Sequence, residues 1–144
     1  MDDFSHYKKI HCIGIGGIGM SAIAEILIDR GYNVSGSDMR ESDSTDKLIS
    51  MGAKVALGHM AKNVKEDIDL VIYTAAIADD NPELLKAKSL GIKLLTRAEA
   101  LGMLMSEYNT SIAISGTHGK TTTTSMVSLI LNNAKKDPTI LVGG

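Results

Sequence analysis

The pattern that most limits this chain is a strand running straight into glycine and then into a helix. Lys9-Ile10-His11-Cys12-Ile13-Gly14-Ile15 is an apolar run of the buried-strand type, followed at once by Gly16-Gly17-Ile18-Gly19. Gly14, Gly16 and Gly19 satisfy G-x-G-x-x-G. Beyond them Ile18, Ala22, Ile23, Ile26 and Leu27 recur at helical spacing as far as Gly31, a residue suited to leaving a helix through a left-handed turn. Strand, tight turn and helix in that order open an α/β fold.

The alternation continues. Asn33–Asp38 reads as a second strand that ends in an acid about twenty residues past the glycine turn. A polar stretch, Arg40 to Asp46, leads into a short helix through Leu48 and Met51, and Ala53–Gly58 is a weaker third strand. Asp69–Thr74 is the most strand-like run, followed by the small residues Ala75 and Ala76, which leave room for a ligand at a strand's carboxyl end. Asn81-Pro82 enters a helix whose apolar face is Leu84, Leu85, Ala87 and Leu90, and Ile92–Leu95 is a fifth strand. Thr96 and Glu99 have the spacing of a capping box that starts a helix through Leu101, Met103 and Leu104. The expected architecture is a Rossmann-like, doubly wound, mainly parallel sheet over residues 1–108, closed by the polar interval Glu107–Thr110.

After that interval the pattern restarts. Ser111–Ser115 is apolar and breaks into Gly116-Thr117-His118-Gly119-Lys120-Thr121-Thr122-Thr123-Thr124, with a helix to about Asn133. Gly116 and Gly119 let successive N–H groups turn inward on an anion, and the helix adds its free first-turn N–H groups. Lys120 supplies charge for β/γ-phosphates, and the hydroxyl of Thr121 or Thr122 suits Mg²⁺. The loop departs from G-x-x-x-x-G-K-[ST] by having Ile114 where that pattern has glycine. Residues 109–144 therefore read as the first βα unit of an ATP-binding domain. They are too few to bury a core of their own, so the expectation is a domain that continues past Gly144 and a chain that does not turn over alone.

Composition excludes other classes. In 144 residues the net charge is −2 and aromatics make up 3% with no Trp, which gives neither a basic footprint nor a stacking platform for nucleic acid. Cys12 is the only cysteine, so no intrachain disulfide forms, and its apolar strand makes it a buried spectator. The N-terminus is polar and acidic and no stretch approaches membrane-spanning length, so the expected location is the cytoplasm. There is no zinc-type Cys/His cluster, and His6 and His11, which show no partner pattern, read as structural.

The first glycine turn with Asp38 suits a nicotinamide dinucleotide, and suits the diphosphate of a sugar nucleotide equally well, because a helix N-terminus receives either. The ATP-type loop weighs against a simple dehydrogenase, since hydride transfer needs no γ-phosphate. Gly14-Ile15-Gly16-Gly17-Ile18-Gly19-Met20-Ser21, Gly36-Ser37-Asp38, Gly58-His59 with Asn63, Thr74-Ala75-Ala76-Ile77 with Asn81-Pro82, Arg97-Ala98-Glu99 and the Gly116–Thr124 loop resemble, in that order, the N-terminal part of a Mur ligase. The resemblance is strongest to the branch that joins L-alanine to UDP-N-acetylmuramate in peptidoglycan precursor synthesis, and less to the branch that attaches a recycled tripeptide. It implies ATP and Mg²⁺, with Gly116, Thr117, His118, Gly119, Lys120, Thr121 and Thr122 at ATP, Lys120 catalytic and Thr121 at the metal. It also implies a UDP-sugar site at Gly14, Gly16, Gly17, Ile18 and Gly19, with Ser37 and Asp38 facing ribose or uracil and His59 and Thr74 near the uridine. Relatives often carry serines where this chain has Ala75 and Ala76.

Overall fold

The computed structural model describes residues 3–107. Five strands, β1 (Lys9–Ile13), β2 (Asn33–Asp38), β3 (Lys54–Leu57), β4 (Leu70–Tyr73) and β5 (Lys93–Thr96), alternate with α1 (Ile18–Asp29), α2 (Asp43–Ser50), α3 (Pro82–Ser89) and α4 (Arg97–Ser106). The sheet order is β3-β2-β1-β4-β5, and every pairing is parallel. Its register sets Cys12 beside both Gly36 and Ile72. Because a parallel sheet is covered on both faces, the central strands are buried on both sides: Ile10, Cys12 and Ile13 of β1 and Leu70, Val71 and Ile72 of β4 are all buried, with His11 the buried polar residue among them.

The pleat divides these residues between two cores. Ile10, Cys12, Leu70 and Ile72 pack beneath α1, α2 and α4 with Met20, Ile23, Leu27, Leu48 and Leu104. Ile13 and Val71 face the other way, onto Leu84 and Ala87 of α3 and onto Val64. The β3-to-β4 crossover holds only a 3₁₀ turn, Ala61–Asn63, so α3 is the α-helix on that face. The doubly wound, parallel expectation is borne out.

Local signals act where the sequence puts them. Thr96 Oγ1 accepts from Glu99 N at 3.2 Å, and the Glu99 carboxylate accepts from Thr96 N, completing the capping box. Asn81 Oδ1 accepts from Glu83 N and Leu84 N ahead of Pro82. A second box, Ser42 with Thr45, starts α2 inside the stretch that reads only as polar in sequence. The first strand is shorter than its apolar run implies. It leaves the ladder at Gly14, where φ is +82°, and Gly14 N and Ile15 N both donate to Ser37 O.

Candidate functional site

Strands β1 and β4 lead to opposite sides of the sheet, so the crevice of this topology opens past their carboxyl ends. The turn after β1 and the segment Thr74–Ile77 after β4 meet there: a Cβ placed on Gly14 would lie 3.9 Å from Ile77 Cδ1.

Much of the turn's hydrogen bonding is internal. Gly14 N and Ile15 N reach Ser37 O at 2.8 and 3.0 Å, Gly16 N reaches Asp38 Oδ2 at 2.8 Å, and Gly17 N reaches Gly14 O at 3.1 Å. The N–H groups of Ile18, Gly19 and Met20 come next, and these first-turn donors of α1 have no acceptor among the described residues. Gly17 is the N-cap and has no side chain to satisfy them. The Arg97 guanidinium lies over the same turn, since a Cβ on Gly19 would fall 2.7 Å from Arg97 Nη1. A helix N-terminus with free donors and an arginine beside it suits an anion. Around the carboxyl edge Ile18, Met39, Leu57 and Met60 expose apolar side chains against which a flat ring can lie.

Asp38 stands at the end of β2 beside the glycine turn, as its spacing implies, but its carboxylate turns into the loop. Gly16 is glycine for that reason: a Cβ would meet Asp38 Oδ2 at 2.8 Å and Thr45 Cγ2 at 2.9 Å. Ser37 is fully buried, and its hydroxyl donates to Glu83 Oε2 at 2.6 Å. Glu83, also fully buried, anchors a network: His11 Nε2 lies 2.5 Å from Oε1, His59 Nδ1 lies 3.0 Å from Oε2, and His11 Nδ1 pairs with Ser35 Oγ at 2.9 Å. Burial pushes the Glu83 pKa up, but hydrogen bonds from His11, Ser37 and His59 outweigh it and hold the carboxyl below its ordinary value.

A family model described as "Mur ligase family, catalytic domain" matches residues 9–109. The chain belongs to the Mur ligase family. It is 59% identical over 142 residues to a UDP-N-acetylmuramate–L-alanine ligase of Clostridium kluyveri, covering 99% of this chain and 31% of that relative. Among solved structures, the UDP-N-acetylmuramate–alanine ligase of Thermotoga maritima superimposes with a TM-score of 0.83 at 41% identity, covering 89% of this chain and 30% of that one. A murein peptide ligase of Psychrobacter arcticus gives 0.82 at 28% identity over 89% and 27% of the two chains. The chain thus spans about a third of the length of the curated relatives it matches.

In this Mur ligase chain the residues expected at the first site divide into two groups. Gly14, Gly16, Gly17, Ile18, Gly19 and Asp38 come together at the carboxyl edge, with Thr74 on the adjoining β4 segment, where its carbonyl closes a turn onto Ile77 N at 3.1 Å. Ser37 and His59 join instead in the Glu83 network, one buried and the other partly open. Two residues had no site role in the sequence reading, Glu83 and Arg97. Arg97 was visible there only inside the motif Arg97-Ala98-Glu99. His11, which shows no partner pattern in the sequence and reads as structural, has two partners inside the fold, because β2 and α3 bring Ser35 and Glu83 to it. Gly116, Thr117, His118, Gly119, Lys120, Thr121 and Thr122 lie outside the described residues. Among the described residues no set of three or more His, Cys, Asp or Glu side chains is arranged for a metal, and no helix is long and apolar enough to cross a membrane.

Proposed function

We propose that this chain is the N-terminal part of an ATP-dependent ligase that joins L-alanine to UDP-N-acetylmuramate in the cytoplasm, during peptidoglycan precursor synthesis. The reading is carried by the 59% identity, over nearly the whole chain, to relatives that bear that name. Geometry supports it: the free first-turn N–H groups of Ile18, Gly19 and Met20, with Arg97 above them, suit the diphosphate of a sugar nucleotide. Gly14, Gly16 and Gly17 then shape the turn, and Asp38 braces it.

Residues 1–108 are the UDP-sugar domain in this reading, and 109–144 begin the ATP domain. The muramyl carboxylate attacks the γ-phosphate of ATP, giving an acyl phosphate and ADP, and the alanine amino group displaces phosphate to form the amide. A carboxylate is a poor acyl donor, so phosphate is installed as the leaving group. The donor set fits a nucleotide: Gly116, Thr117, His118 and Gly119 offer backbone N–H groups, and Lys120 neutralises charge on the transferring phosphoryl group. The Thr121 hydroxyl, with Thr122 beside it, would offer a hard oxygen ligand to Mg²⁺, which when bound would further neutralise the phosphates.

Titration of the chain with UDP-N-acetylmuramate and with NADH tests the first site, the expected result being saturable binding of the sugar nucleotide alone. In the complete gene product, alanine-dependent ADP release should fall about a hundredfold or more in Lys120→Ala. Binding of NADH without any response to UDP-N-acetylmuramate would make the chain a nicotinamide protein and refute the reading.

A further inference from the structure

We propose that Glu83 is a positioning residue for base recognition: it fixes His59 as the Nδ1–H tautomer, so that Nε2 is presented as a bare acceptor for the N3–H of uracil. The proposal rests on the sugar-nucleotide reading above and assigns the residue pair that selects its base.

The assignment follows from counting protons. Hydrogen bonds hold Glu83 ionised, and an ionised carboxylate only accepts, so each polar atom in reach must donate to it. Ser37 gives its single proton to Oε2 at 2.6 Å. Its oxygen, 2.9 Å from His59 Nδ1, is then an acceptor toward the ring. Both neighbours of His59 Nδ1, Ser37 Oγ and Glu83 Oε2, are therefore acceptors, and the ring proton belongs on Nδ1. In the neutral imidazole this leaves a lone pair on Nε2.

Nε2 has no partner among the described residues, no buried side-chain nitrogen in that set lacks one, and the His59 side chain is 14% exposed, so Nε2 reaches solvent. The ring's place is set by the site. Its neighbour Gly58 donates to Asp38 O at 2.7 Å, Asn63 Nδ2 holds Gly58 O at 3.0 Å, and the adjacent Ser37 carbonyl secures the glycine turn. Met39, Leu57 and Met60, exposed at the same edge, give a flat base an apolar surface. Uracil presents a donor at N3, whereas cytosine presents an acceptor there, so a fixed Nε2 lone pair favours uracil.

The test uses the 144-residue chain, a long-range ¹⁵N–¹H histidine spectrum, and calorimetric titrations with UDP, CDP and inorganic pyrophosphate. The expected spectrum has His59 protonated at Nδ1 and bare at Nε2, with UDP binding about tenfold tighter than CDP. Glu83→Gln, whose amide can donate as well as accept, should mix the tautomers and reduce that preference to about twofold or less. His59→Ala, a change at a partly open site that serves if Glu83→Gln does not fold, should abolish the preference while pyrophosphate binding is kept. A wild-type ring protonated at Nε2, or a Glu83→Gln protein with unchanged tautomer and preference, overturns the proposal. Equal binding of UDP and CDP overturns it and leaves the sugar-nucleotide reading standing, whereas absence of binding by either nucleotide removes both.

Discussion

Replacing Asp38 separates a residue that braces the glycine turn from one that only reads a ligand. Asp38 Oδ2 accepts from Gly16 N at 2.8 Å in a partly buried setting, while its other oxygen is 3.4 Å from Arg40 N, too far to add much. A hydrogen bond to a charged group contributes roughly 1.5–3 kcal/mol, and partial access of water puts the Asp38→Ala cost at about 2 kcal/mol. In a domain of this size that lowers Tm by roughly 8–16 °C. Asp38→Asn keeps an oxygen acceptor and should cost about half as much. The backbone bond from Gly58 N to Asp38 O survives either change, so the urea m-value should hold. Gly16→Ala supplies the control: its Cβ would stand 2.8 Å from Asp38 Oδ2, an overlap that Asp38→Ala removes, while the 2.9 Å approach to Thr45 Cγ2 remains. The two substitutions should therefore be non-additive by about 1 kcal/mol or more in a double-mutant cycle followed by circular dichroism in urea. Asp38→Ala within about 0.5 kcal/mol of the parent, with additive effects and lost nucleotide binding, would refute the bracing role.

Three further outcomes follow from the core and the buried network. Gly36→Ala would bring a Cβ within 2.6 Å of Cys12 O, a backbone atom unable to yield, so a loss of about 3 kcal/mol or failure to fold is expected, read from soluble yield and urea midpoint. Burial pushes the Cys12 thiol up to about 12, so a thiol reagent at about pH 8 should label it only when urea opens the domain, and stoichiometric labelling of native protein within minutes would contradict its burial. Glu83 is held below its ordinary 4.5, and Asp69, which accepts from Lys9 N and Lys8 N, is held below 3.8. Folded-state values depressed in this way give stability that is complete above those ordinary values and is lost as pH falls through the folded ones. Tm should therefore decline below about pH 4.5, with a shallower decline in Glu83→Gln, and identical slopes would exclude Glu83 as a contributor.

The strands and helices were legible because their signals are local. The apolar run at β1, the Thr96–Glu99 box and Pro82 after Asn81 each act within about one turn of chain. The parallel order followed from alternation, since parallel strands need crossovers. The Ser42–Thr45 box was missed because charged neighbours hid it in a stretch that reads as loop. At the site, the glycine turn and Asp38 were placed correctly beside each other by their spacing. Which way their polar groups point was not legible: Asp38 to Gly16, Ser37 to Glu83 and Arg97 to Gly19 all join residues from different strands and helices.

By itself the sequence determined that this chain makes a parallel α/β sheet with a glycine turn and a helix start after its first strand, because periodicity, caps and glycines are properties of neighbours along the chain. Only the tertiary structure decided that the acid after β2 locks that turn, and that Glu83, 72 residues from His11, orders two histidines and a serine around one buried charge. The physical reason is that the protonation and direction of a buried polar group are set by whatever partners folding brings within about 3 Å, and those partners have no fixed spacing in sequence.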